Sequence, residues 1–149
     1  YLIEREVLKS LSSEKHSMER AVFPEIAKTG KMAGLEFKGY FVDAGTPSSF
    51  IEAVQVCISN KRFEIGAIHD KHTWISDKVF IHEPYQITGS SISNNVSIGK
   101  GCEILDCVIL SGAKIGEGCK LQRCLIGESS IIKGGSVISD KVIGHGEIV

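Results

Sequence analysis

The sequence predicts an α/β segment followed by an all-β, left-handed parallel β-helix, a three-sided solenoid of hexapeptide-type repeats. Three observations carry this reading. Aliphatic residues recur on a period of 17 through the second half, glycines recur in register with them, and the first half mixes helical spacing with short apolar runs.

The aliphatic positions are Ile92, Ile98, Ile104, Ile109, Ile115, Leu121, Ile126, Ile132, Ile138 and Ile143, in steps of six, six and five. A repeat is the first thing to look for, because it decides the architecture. Laid over one another, Ile92/Ile109/Ile126/Ile143, Ile98/Ile115/Ile132 and Ile104/Leu121/Ile138 form three columns, hence three sides. Four residues after each aliphatic comes a second small or apolar residue: Val96/Ala113/Ser130, Cys102/Cys119/Ser136 and Val108/Leu125/Val142. These are also expected to point inward. Glycines at Gly99/Gly116, Gly101/Gly118/Gly135 and Gly127/Gly144 mark the corners, where positive φ costs glycine least.

One coil cannot bury its inward residues alone. Coils stacked about 4.8 Å apart pair as parallel strands and turn separate aliphatic residues into a continuous core. Residues 92–142 supply three turns, near the minimum for such a stack. The segment 79–91, with Val79, Ile81 and Ile87 around Pro84, reads as a looser turn capping the start. A fourth turn begins at Ile143 and breaks off at Val149, and the chain begins on Tyr1 rather than Met. The sequence is therefore expected to be a piece of a longer protein. The boundaries are 1–60 for the α/β segment, 61–78 for a linker and 79–149 for the solenoid.

Before the linker, Glu4 to Leu11 has helical spacing through Val7, Leu8 and Leu11. Ser17 is a suitable N-cap for a second helix, with Glu19 in its first turn. Pro24 divides that helix into Met18–Phe23 and Pro24–Lys28, and Thr29-Gly30 closes it. Tyr1–Ile3, Leu35–Phe37 and Gly39–Val42 read as strands. Thr46 as N-cap and Pro47 at the first helical position then start a helix carrying Phe50, Ile51, Val54 and Ile58.

Composition narrows the function classes. The 17 basic residues balance 18 acidic ones and form no stripe, so nucleic acid is not an expected partner. No apolar run approaches a membrane span, and Tyr1 to Arg5 do not resemble a signal peptide, so a cytoplasmic protein is expected. Five cysteines, an odd number, are then expected to be reduced. Cys102 and Cys119 share one column and Cys107 and Cys124 another; the C-x₄-C spacing is not a usual zinc pattern, and the thiols are read as core fillers.

The run Gly39-Tyr40-Phe41-Val42-Asp43-Ala44-Gly45-Thr46-Pro47, followed by Ser48-Ser49-Phe50-Ile51-Glu52-Ala53, resembles the GYWxDIGTPEDYLEA signature of sugar-1-phosphate nucleotidyltransferases. Ser17-Met18-Glu19-Arg20-Ala21-Val22-Phe23-Pro24 resembles the SxExxxFP helix of the mannose-1-phosphate guanylyltransferase branch. Tyr1-Leu2-Ile3 is similar to the strand that follows an Asn-x-Gly motif in those enzymes. The resemblance covers residues 1 to about 60, and a hexapeptide domain follows in many members. It implies that residues 1–60 are the C-terminal portion of a catalytic domain that transfers a nucleotidyl group from an NTP, GTP in this branch, to a sugar 1-phosphate such as mannose 1-phosphate.

By that resemblance Asp43 holds the divalent cation, Mg²⁺, and Glu19 contacts the sugar. As isolated residues, Asp43 also suits a turn before Gly-Thr-Pro, and Glu19 also suits the first turn of a helix. Ala44 stands where Ile is usual and Phe41 where Trp is common. The Gly-rich nucleotide loop, its lysine and the second metal-holding aspartate of the family are not in these residues, so the chain alone is expected to be inactive. Two other functions stay open. Hexapeptide solenoids also build acyltransferases that use acyl-CoA and a histidine base, for which His82, His145, His69 and His72 are the candidates. Alternatively the solenoid serves only as an oligomerisation or regulatory module, and a homo-oligomer through it is the expected assembly.

Overall fold

The structure, a computed structural model, describes residues 1–62, 67–68 and 70–149, with the side chains of Ala67 and Ile68 outside the description. The chain divides into two compact units, Tyr1–Gly39 and Tyr40–Val149. No helix among the described residues is long and apolar enough to cross a membrane.

The first unit is helical. Helix α1 spans Arg5–Ser10. A single π turn, Met18–Val22, is capped by the Ser17 side chain, which accepts from the Arg20 amide, and helix α2 follows over Phe23–Lys28 with Pro24 in its first turn. The helix divides beside Pro24 as expected, but between Val22 and Phe23, one residue before the expected boundary. Gly30 ends the helix at φ +70°, a left-handed conformation that glycine adopts without a Cβ clash.

Three expected strands do not form. Tyr1–Ile3, Leu35–Phe37 and Gly39–Val42 join no ladder, and Leu35 and Phe41 are 97% and 83% exposed. An apolar run becomes a strand only when a neighbouring backbone takes its N–H and C=O groups, and no described strand lies beside these.

The second unit begins with helix α3, Pro47–Ser59, and continues as a three-sided parallel solenoid of about four turns. The first face stacks Trp74–Ile75, Ser91–Ile92, Val108–Ile109, Leu125–Ile126 and Val142–Ile143; a short antiparallel strand, Ala67–Ile68, pairs with Trp74–Ile75. The second face pairs Ile81, Ile98, Ile115 and Ile132. The third pairs Ile87, Ile104, Leu121 and Ile138. All three sequence columns are therefore spatial columns, and Ile75, Ile81 and Ile87 extend each by one turn. The residues read as a loose cap form a regular coil, and the ladder already includes Trp74 and Ile75 from the stretch read as linker.

The second inward set differs from expectation on one side. Val96 and Ala113, and Cys102 and Cys119, are buried, but Leu125 is only partly buried and Val142 is 55% exposed. Strand side chains alternate, so the inward partner of each aliphatic lies two residues before it. On a six-residue side that position is also four after the previous aliphatic. On the five-residue side the two counts disagree, and geometry selects Thr73, Ser90, Cys107 and Cys124, each 0% exposed.

That column has its own hydrogen bonds. The Gly89 amide donates to Thr73 Oγ1 (2.9 Å), the Cys107 amide to Ser90 Oγ (2.9 Å) and the Cys124 amide to Cys107 Sγ (3.4 Å). A small acceptor from one turn satisfies the buried amide of the next. This explains why Thr, Ser and Cys, rather than aliphatics, occupy the short side.

Candidate functional site

The segment of the second unit that carries the expected metal ligand is the loop Asp43-Ala44-Gly45 and the helix it feeds. Asp43 is exposed, and its carboxylate takes no hydrogen bond or ion pair among the described residues. It folds over Gly45: a Cβ there would lie 3.3 Å from Asp43 Oδ1. Thr46 then closes a capping box. Its hydroxyl accepts from the Ser49 amide (3.2 Å), while Ser49 Oγ accepts from the Thr46 amide (3.0 Å). With Pro47 fixing φ at the next position, the chain turns sharply from loop to helix.

Helix α3 lies on the solenoid through one face, with Ile51 and Ile58 buried and Gln55 and Ser59 between or beside them. Gln55 Nε2 donates to Gly89 O and to Asp106 Oδ1, both at 2.9 Å. Ser59 Oγ bonds Lys71 O (3.0 Å) and His72 Nδ1 (2.9 Å). Val108 faces outward on the first face yet is 4% exposed, whereas Val142, two coils further on, is 55% exposed.

The corner under α3 is a further column of period 17: Gly89, Asp106, Arg123 and Asp140, all with φ between +50° and +64°. Arg123 and Asp140 form a two-point ion pair, Nε to Oδ1 at 2.6 Å and Nη2 to Oδ2 at 2.7 Å, and this guanidinium holds the Asp140 carboxyl below its ordinary range. Between the helix and this corner runs an open cleft of about 420 Å³, lined by Pro47, Ser48, Glu52, Asp106, Arg123 and Asp140 among others. Gln55, Asp106 and Arg123 were not singled out by sequence. A signal was available for Asp106 and Arg123, since Asp106, Arg123 and Asp140 follow the third aliphatic column by two residues and repeat at its period.

Nearer the start of the solenoid, Asp70 Oδ1 accepts from the His72 and Thr73 amides and Oδ2 from Thr73 Oγ1, all at 2.7 Å. Burial alone raises the Asp70 carboxyl, but these bonds outweigh it and leave the group below its ordinary value.

Glu19 belongs to the first unit, where it is exposed and accepts from the Tyr1 hydroxyl. Asp43 belongs to the second. Of the histidines, His82 is exposed, His145 Nδ1 accepts from the Glu128 amide (2.9 Å), and His72 is held at Ser59. His69 lies outside the described residues. Cys102, Cys107, Cys119 and Cys124 are buried in the core. The Cys124 sulfur and burial push the Cys107 thiol far above its ordinary value, and burial raises Cys102. Cys102 and Cys107, held protonated in this way, are poor nucleophiles. Among the described residues no three His, Cys, Asp or Glu side chains gather as a metal site.

Residues 68–149, more than half of the chain, match the family described as GMPPB C-terminal domain. The chain belongs to that family. The match to this GMPPB-type domain begins at Ile68, and so covers every coil of the solenoid. The chain is also 29% identical over 87 residues to "Probable mannose-1-phosphate guanylyltransferase 2" of Oryza sativa subsp. japonica, covering 58% of this chain and 24% of that relative. It thus spans about a quarter of the relative's length. Among solved structures, perosamine N-acetyltransferase from Caulobacter crescentus, determined with CoA and GDP-perosamine, aligns with a TM-score of 0.51 at 17% identity, over 87% of this chain and 66% of that one. At that identity the likeness is one of fold.

Proposed function

We propose that this chain is the C-terminal part of a sugar-1-phosphate nucleotidyltransferase that uses GTP and mannose 1-phosphate. One observation carries the reading: the Asp43-Ala44-Gly45-Thr46-Pro47 segment forms a capped loop-to-helix turn, and that helix continues into a solenoid of the GMPPB C-terminal domain family. In the reaction, a phosphate oxygen of the sugar 1-phosphate attacks the α-phosphorus of the NTP. The new O–P bond forms as the bond to the β-phosphate oxygen breaks, and pyrophosphate leaves with the electron pair.

The residues fit Mg²⁺ in a limited way. Asp43 offers one exposed, unpartnered carboxylate, which suits a cation that takes one or two protein carboxylates and completes its shell with water and substrate phosphates. When bound, Mg²⁺ offsets charge on the phosphates. Asp43 presents the ligand oxygen, Gly45 leaves room for it, and the Thr46–Ser49 box keeps the turn rigid. Glu19 is assigned to the sugar, held ready by the Tyr1 hydroxyl. The chain alone is inactive in this reading, and the intact protein is cytoplasmic, where its thiols stay reduced. The solenoid carries a homo-oligomer, supported by exposed Val137, Val142 and Ile148 on its later coils.

Product analysis on the full-length protein tests the reaction. Pyrophosphate release that requires both GTP and mannose 1-phosphate is expected. Release of free CoA from an acyl-CoA, without pyrophosphate, would replace this reading with acyl transfer.

A further inference from the structure

We propose that Gln55 is a positioning residue: by clasping α3 to the solenoid corner, it sets where the Asp43 carboxylate stands. The proposal rests on the reading of Asp43 as a metal ligand. Both amide hydrogens of Gln55 are spent on the clasp, one on Gly89 O and one on Asp106 Oδ1. These acceptors lie 34 and 51 residues away in sequence, so the bonds join the helix to two successive coils.

The corner is shaped for this contact. Gly89 has φ +64°, and a Cβ there would meet the Asp106 carboxylate and approach Gln55 Nε2 to 3.2 Å. Glycine therefore keeps the carbonyl, the carboxylate and the amide within reach of one another.

Why the clasp matters follows from what lies beyond it. On the N-terminal side of Gln55 the helix stands beside the open cleft, where Ser48 and Glu52 face Arg123 and Asp140 without bonding them. Ile51 alone is buried there, and apolar contact fixes direction weakly. From Gln55 to Pro47 is about 12 Å at 1.5 Å per residue, so a tilt of about 10° at the clasp moves the helix start by roughly 2 Å. The capping box is rigid and transmits that movement to Asp43. Misplacement on the order of 1 Å can cost about 10²-fold in rate. The solenoid is thus part of the support of the metal ligand.

Two measurements test this. In the 149-residue chain, Gln55→Met keeps the shape and removes both donors, whereas Gln55→Lys restores a donor to each acceptor. Amide exchange at Ser49 and Phe50, bonded to Thr46, is expected to quicken about tenfold in Gln55→Met, with solenoid amides unchanged, and to return to within about twofold of wild type in Gln55→Lys. In the full-length protein, the half-saturating Mg²⁺ concentration for pyrophosphate release should rise about tenfold in Gln55→Met, more than kcat falls, and recover in Gln55→Lys. Should Gln55→Met fold poorly, Asp106→Ala removes one acceptor and should shift both readouts less, in the same direction. Unchanged exchange at residues 49 and 50, or quickened exchange with unchanged Mg²⁺ dependence, overturns the proposal. A wild-type protein that releases no pyrophosphate defeats the nucleotidyl reading instead, and with it the link from clasp to metal; the exchange result then stands on its own as a measure of the clasp.

Discussion

In the solenoid, Ile98, Ile115 and Ile132 stack on one another and are at most 3% exposed, whereas Leu35 and Phe41 in the extended stretch before α3 are 97% and 83% exposed. Both segments carry apolar residues suited to strands. The difference is that a repeat contains its own partners: the residue that covers Ile115 is found 17 positions away on either side. A non-repeating apolar run names no partner, and alternation alone does not say what will pair with it. Periodicity is thus evidence about packing, while apolarity by itself is evidence only about propensity.

The sharpest way to break this contrast is to charge the column. Ile115→Asp places an unpaired carboxylate among buried aliphatics and should cost about 4 kcal/mol or more, removing the cooperative melting transition followed by circular dichroism. Leu35→Asp, at an exposed site, should melt within about 0.5 kcal/mol of wild type. If the two variants melt alike, the column is misassigned.

A finer test separates filling from hydrogen bonding on the short side. Cys107→Val fills the space but orphans the buried Cys124 amide, at a cost of about 1–3 kcal/mol, whereas Cys107→Ser keeps an acceptor and should lose less than half as much. Denaturant midpoints of the two variants decide it, and a more stable valine variant would make the column a packing feature only.

Asp70 gives a smaller, pH-dependent effect. Its folded value lies below the ordinary 3.8, so its contribution is complete above that pH and is lost as pH falls through the lower folded value. Asp70→Ala should therefore cost about 1 kcal/mol at neutral pH, discounted for exposure, and the gap to wild type should close in acid. A gap that widened as pH fell would contradict the sign. Smallest of all, Val142→Ser on the outer face should change stability by less than about 0.5 kcal/mol, which separates the two-before rule from the four-after rule for inward residues.

Much of the fold was legible because it repeats. The three aliphatic columns and the Thr46-Pro47 helix start rest on local or periodic rules, and both appear in the structure; of the corner glycines, Gly101, Gly118 and Gly135 have the expected positive φ, whereas Gly99, Gly116 and Gly127 do not and instead sit where a Cβ would strike the backbone of the next coil. The four-after count failed only on the five-residue side, where strand alternation and coil length disagree. The strands of the first half failed because ladder partners are a non-local property. Asp43 and Glu19, in separate units of the chain, came from resemblance to a motif. Gln55 did not, because one glutamine on a helix carries no pattern, and its meaning depends on a corner built from residues 34 and 51 positions further along the chain.

The central claim is that the Asp43 turn of this chain serves a nucleotidyl transfer. Its most direct test is pyrophosphate release by the full-length protein and its Asp43→Asn variant across a Mg²⁺ titration, with GTP and mannose 1-phosphate, repeated with glucose 1-phosphate. The substitution keeps the shape and weakens the ligand, so turnover should fall by a factor on the order of 10² or more, about 2.7 kcal/mol of transition-state stabilisation, with the melting temperature unchanged. Wild-type turnover in Asp43→Asn at limiting Mg²⁺ would contradict the assignment, and loss of turnover together with unfolding would reduce Asp43 to a turn residue.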